Sequence, residues 1–170
     1  MTDEASNEAL QGGYFVEYVK NKKQPRVKNT LVKYGAQSFL QTVFQALTPL
    51  AGTLYLGLTN AAYTFDQAAL LTALNAGEPV GNGYARQALI RDNTHWTVSE
   101  VNGVMMVQSV IVNFTCTGAP WTQNWLRMFI CDAAAGTAGN VVSLSGAAPA
   151  PRVVNVGAGP AIQYEYFLRG

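Results

Sequence analysis

The stretch HWTVSEVNGVMMVQSVIVNFTC, residues 95–116, decides the fold class. At its centre Asn102-Gly103 is the dipeptide that accepts positive backbone angles at both positions of a two-residue turn, and the runs on either side are rich in Val, Thr and aromatic residues. It reads as a β-hairpin. Along the second run Val110, Val112, Phe114 and Cys116 face one way while Ser109, Asn113 and Thr115 face the other, so one face is expected to be buried.

The same signature recurs outward from this hairpin. TLYLGLT at Thr53–Thr59 puts Leu54, Leu56 and Leu58 on one face, and Trp125–Cys131 opposes Leu126, Met128 and Ile130 to Arg127. Tyr14–Val19, Tyr84–Arg91, Val141–Leu144, Arg152–Val156 and Ile162–Arg169 read as further short strands, separated by Gly-, Ala- and Pro-rich loops in the C-terminal third. GEPVGNG at 77–83 is a loop with a tight turn at Asn82-Gly83. Crossover helices between the later strands are missing, which disfavours a parallel α/β fold. The expected architecture is mainly β: an antiparallel, sandwich or jelly-roll-like body with one N-terminal amphipathic helix. That helix is placed over 36–47, where Phe39, Leu40, Val43, Phe44 and Leu47 recur at helical spacing, Gln37, Gln41 and Gln45 lie opposite, and Pro49 stops it. A second, short helix is placed over Asp66–Asn75, capped by Asp66, with Leu70, Leu71 and Leu74 inward.

Charge is scarce and unevenly distributed. The 170 residues are 49% apolar and 12% charged, where a soluble domain typically carries about 25% charge. The 14 Thr, 12 Asn, 10 Gln and 6 Ser must do most of the solvating, and such a surface suits packing against other protein. No run of 18 apolar residues exists to cross a bilayer. The net charge of +1 hides a division: ten of the first 33 residues are charged, against eleven of the remaining 137. Lys20, Lys22, Lys23, Arg26, Lys28 and Lys33 form a basic run after the acidic Asp3, Glu4 and Glu8. Residues 1–33 therefore read as an extended charged assembly arm, and 34–170 as the body containing the helix. The arm lacks interleaved aromatics and the body lacks a basic face to continue a track, so nucleic acid is a poor candidate partner. The N-terminus has no secretory pattern, which points to synthesis in the cytoplasm. Cys116 and Cys131 lack CxxC spacing and read as reduced core residues.

The chemistry of catalysis is thin. His95 is the one histidine, and a triad could be assembled only around it and Asp92, with no nucleophile signature. Asp92 with Glu100 is the available acid pair, and two acids flanking a strand are ordinary solvated residues. Neither a zinc ligand set nor a phosphate loop is present, so no catalytic, cofactor or metal residue is assigned. Trp96, Trp121 and Trp125 read either as core and interface material or as a stacking platform for glycan, with Trp121, beside Pro120, the best candidate for exposure.

Four stretches, LYLGLTNAA at 54–62, GEPVGNGYARQAL at 77–89, the strand and loop from Phe114 to Trp121 leading into MFICDAAAGTAGNVVSLSG at 128–146, and VGAGPAIQYEYFLRG at 156–170, resemble small virion structural proteins of tailed bacteriophages. The resemblance covers residues 54–170 and leaves the basic arm unmatched. It implies a non-enzymatic β-sandwich subunit located in the virion, a capsid cement or decoration protein that bridges neighbouring major capsid proteins or contacts other virion proteins. It also implies the alternative of a tail or head-fibre domain that binds host-surface glycan. Symmetric self-association, as a trimer, is the expected assembly unit.

Overall fold

The structure is a computed structural model and describes residues 12–19, 22–31, 33–47, 50–61, 70–148 and 150–168. In chain order its strands are β1 (Gly12–Val19), β2 (Lys22–Lys23) and β3 (Val27–Leu31), then after helix α1 (Lys33–Gln45) β4 (Thr53–Thr59). After helix α2 (Leu71–Asn75) come β5 (Gln87–Ile90), β6 (Trp96–Val101), β7 (Val104–Ser109), β8 (Val112–Asn113), β9 (Arg127–Cys131), β10 (Val141–Ser145) and β11 (Ala161–Leu168). The chain is mainly β and antiparallel, as expected. All eleven strands join one sheet in the order β5-β4-β9-β10-β3-β1-β11-β7-β6, with β2 on β1 and β8 on β11.

The sheet is curled. Laid flat, β4 and β11 would be about 24 Å apart, five strand spacings. Yet Leu54, Leu56 and Leu58 of β4 belong to the same packed cluster as Phe15 of β1 and Ile162 and Tyr164 of β11, with Trp96 of β6 against it. One core inside the curl therefore joins strands from both ends of the sheet. A second cluster lies on the outer face, where Leu71 and Leu74 of α2 cover Phe129, Cys131, Val141 and Leu144. This explains why β9 and β10 are buried on both faces, where alternation alone set Arg127 against an apolar face.

The central hairpin forms as read. Val101 pairs with Val104, and Asn102 (φ 52°) and Gly103 (φ 76°) supply the two positive angles. The long second run is broken, however, into β7 and β8. Ser109 takes over the ladder at the break: its hydroxyl accepts the Tyr164 N–H at 2.9 Å and its carbonyl accepts the Gln163 side chain at 2.7 Å. Val110 is consequently exposed, while Val112, Phe114 and Cys116 face inward. The Arg152–Val156 strand reduces to a single bridge, Trp125 to Arg152. In α2, Leu71 and Leu74 are buried and Leu70 is exposed; Asp66, its expected cap, lies outside the described residues.

One expectation is corrected, and one point left open by the sequence is decided. The first is the N-terminal arm, residues 1–33. Its described part is built into the sheet: β1 lies between β3 and β11, in register with β11 from Gly12↔Phe167 to Tyr18↔Ala161, and β3 continues to β10. Phe15 and Val16 are fully buried, so both pleat faces of β1 carry core side chains. The boundary at residue 33 does not separate an arm from a body.

The second is the orientation of α1. The helix lies on β10 and β3, but with its small residues inward. A Cβ on Gly35 would stand 2.1 Å from the Val142 carbonyl oxygen, and Ser38 is buried. This close approach fixes the rotation of the helix and turns the apolar stripe outward. Its end is closed by Ala46 in the left-handed region (φ 53°) and by the Leu47 N–H returning to the Gln41 carbonyl. Pro49 lies outside the described residues.

Candidate interaction surface

Outward rotation of α1 makes its apolar stripe the largest contiguous run of exposed hydrophobic side chains that a single element contributes among the described residues. Phe44 is 78% exposed, Val43 55%, Leu40 53%, Leu47 49% and Phe39 38%. Among the charged residues only Lys33 falls on the helix, in its first position. An apolar strip of this kind on a water-facing helix is the ordinary mark of an interface. The sequence signal for it was in view, since Gly35, Ser38 and Thr42 share the opposite side at spacings of three and four, and small residues there let the helix approach the sheet.

Two cations of the basic run, Lys23 and Arg26, are paired within the chain. Lys23 Nζ lies 2.7 Å from Glu165 Oε1 and Arg26 Nε 2.6 Å from Oε2, and Gln108 donates to the same carboxylate. The acidic neighbour of the segment is thus in the chain's own last strand. Glu165 is fully buried; burial pushes its pKa up, but the bonds from Lys23 and Arg26 outweigh this and hold it below its usual value. Arg26 also stands over the Tyr14 and Phe167 rings at 5.9 and 5.2 Å. Lys22 and Lys28 are exposed. Lys20 lies outside the described residues, as does the side chain of Lys33.

Because its pKa in the fold is depressed, Glu165 contributes stability that is present above the unfolded glutamate pKa of about 4.3 and lost as pH falls through the lower folded value. Glu17, beside Arg152 at 2.9 Å, is shifted the opposite way, upward by burial with Arg152 partly offsetting it, so its protonation relieves a cost over mildly acid pH. Glu165→Gln is expected to lose about 1–2 kcal/mol at neutral pH, kept modest because water reaches both cations. The variant's disadvantage should shrink below about pH 4; denaturant titrations at pH 7 and pH 3.5 check it.

A second, nearly enclosed cluster surrounds Arg86. Its guanidinium bonds both oxygens of Glu78 and, through the remaining donors, Asn75 Oδ1 at 3.1 Å, Ala133 O at 2.9 Å and Gly136 O at 2.8 Å. The Phe129 ring lies under it at 5.4 Å. Tyr84 completes the cluster, its hydroxyl 2.8 Å from Glu78 Oε2 and accepting the Leu58 N–H at 2.9 Å. Burial, then the Glu78 charge, raises the Tyr84 pKa far above its usual value, so the phenol stays protonated. Every partner is a group of the fold, and the cluster ties α2, the loop after it, β9 and the 133–140 loop together. Asp132 closes that last loop on Asn140. Sequence reading assigned Glu78 and Arg86 no role. The available signal was the presence of two charges in a body almost without them.

The aromatic platform is not exposed. Trp121 is 5% exposed, its Nε1 donates to Asn82 O at 3.2 Å, and it meets Tyr84 and Phe114 edge-on at 5.2 and 6.3 Å. Asn82 also donates to Pro120 O, so the turn at 82–83 and the Pro120 loop fold over one another and enclose the ring. Trp125 is buried with Arg152 6.0 Å over its ring. Trp96 is half-buried, edge-on to Tyr164 at 6.0 Å. The exposure expected of Trp121 is therefore corrected, and the three rings do not form a face on which a sugar could stack.

His95 sits in the turn before β6. Asp92 Oδ1 accepts the Thr94 and His95 backbone N–H groups and lies 2.9 Å from His95 Nδ1. Hydrogen bonds from His95 and Thr94 hold the Asp92 pKa down at about 2. This is an Asx-type turn on the surface. Cys116 and Cys131 are free thiols in the core. Among the described residues no three His, Cys, Asp or Glu side chains gather as a metal site, and no helix is long and apolar enough to cross a membrane. No protein family model matches the chain, and no curated protein matches it in sequence.

Proposed function

We propose that this chain is a non-enzymatic structural subunit of a larger protein assembly, of the phage-virion kind that the resemblance implies. The observation that carries the reading is the outward apolar stripe of α1, held in place by the contact of Gly35 with Val142. A helix of such composition in a water-facing position is stable as part of an interface. The low charge of the rest of the chain supports the same reading, because interfaces between neutral surfaces require little desolvation of ions. In the specific form, the curled sheet acts as a sandwich or jelly-roll-like body that decorates a capsid, bridging major capsid proteins and contacting its own copies as a trimer. The tail or head-fibre alternative loses the residues that recommended it, since Trp121 and Trp125 are buried.

Side-chain footprinting of the isolated chain and of the chain in assembled particles tests the proposal. The stripe Phe39–Leu47 should lose reactivity on assembly.

A further inference from the structure

We infer that the partner of the α1 stripe is a second copy of this chain, joined helix against helix. The inference rests on the assembly reading above and names the occupant of its surface. Three observations favour a copy over an unlike protein.

The first is charge. From Phe39 to Leu47 the stripe carries no charge, and beyond Phe44 it is bordered along the helix by the amides Gln37 and Gln41; the one charge of the helix, Lys33, stands at its first position, more than a turn before Phe39. An unlike partner is usually selected by complementary charge at its interface, and residues 37–47 have none to offer. Glutamine amides both donate and accept, so each can pair with its own counterpart. Two copies can meet along 37–47 without burying an ion there.

The second is area. From their exposures the five side chains present on the order of 500 Å² of apolar surface, taking about 200 Å² for a fully exposed large side chain. A standard interface removes about 800 Å² from each partner, roughly 60% of it apolar. The stripe thus supplies about the apolar area that one side of a self-association needs.

The third is spacing. Leu40, Val43 and Leu47 recur at intervals of three and four, the seam by which one helix packs against another, with Phe39 and Phe44 widening it on either side. The rotation of the helix is fixed by the small residues beneath it, so the seam is presented ready-made and needs no rearrangement to engage.

The experiment is sedimentation velocity of the purified full chain from about 1 to 100 µM, with Phe44→Glu and Leu40→Gln as variants and near-ultraviolet circular dichroism as the control for folding. Both side chains are more than half exposed, so both variants should keep the native signal. The expected result is a species heavier than the 18.2 kDa chain that shifts with concentration, and at least a tenfold weaker association in Phe44→Glu. A wild-type chain that stays monomeric throughout, or a folded Phe44→Glu variant that associates like wild type, overturns the inference. The assembly reading is scored separately by incorporation into particles. If the wild type is monomeric and Phe44→Glu still fails to enter particles, the self-contact is wrong and the assembly reading stands; if the variant enters particles normally, that reading falls as well.

Discussion

Replacing Arg86 by Met is expected to destabilise the fold by about 3–5 kcal/mol, because it leaves the Glu78 carboxylate buried without its counter-ion. Side-chain exposure of the pair is 2% and 8%, so water cannot take over the lost bonds. The methionine would fill much of the volume against Phe129, but it would also strip partners from Asn75, Ala133 and Gly136. For a domain whose total stability is about 5–15 kcal/mol, this is a large fraction, and the melting temperature should fall by roughly 10 °C or more. Thermal unfolding followed by circular dichroism checks it. The double variant with Glu78→Gln should recover part of the loss, since the unpaired charge is then gone. A single variant that melts within a degree or two of wild type would mean the cluster is not the fastening described above.

A chain that starts at residue 34 is expected not to fold. β1 and β3 connect the two halves of the sheet: β5-β4-β9-β10 on one side and β11-β7-β6 on the other. Without them β10 and β11 become open edges, with no ladder across the gap. The core also loses Phe15, packed edge-on against Tyr164 at 5.1 Å, and Glu165 loses both of its cations. Each loss alone costs a few kcal/mol, and together they exceed the stability of a domain of this size. Loss of the near-ultraviolet dichroism and of amide shift dispersion is the expected readout. A truncated chain with native dispersion would show that the N-terminal segment is a separable arm after all.

What the sequence revealed of this fold follows the range of the interactions involved. The Asn102-Gly103 turn and the leucines of β4 are written in neighbouring residues, and both are found as read. The membership of β1 in the sheet is not. Its partner strand begins at Ala161 and the acid that neutralises Lys23 and Arg26 is 142 and 139 residues away. Nothing within the basic run distinguishes a charged tether from one side of a distant ion pair. Amphipathicity likewise showed which side of α1 is apolar, but not which side meets the sheet. That was decided by the close approach at Gly35. Trp121 was misplaced for a related reason: proximity to Pro120 marks a loop, and only the fold reveals that the Asn82-Gly83 turn closes over it.

The candidate surface was legible only in part. The residues of the stripe were singled out in the sequence as the apolar side of an amphipathic helix. Their role as a surface depends on a helix rotation that tertiary contact sets. Of the residues singled out as candidate sites, Lys23 and Arg26 hold the fold together through Glu165, and Trp121 and Trp125 do so through the core.

Footprinting of α1 tests the central claim most directly. Hydroxyl-radical labelling of the dilute isolated chain should modify Phe39, Leu40, Val43, Phe44 and Leu47 readily, together with Met105 and Val98 on the hairpin as reference positions that are also exposed. In the assembled state the account predicts that labelling of the five α1 residues falls several-fold relative to Met105. Equal labelling of α1 in the isolated and assembled states would contradict it.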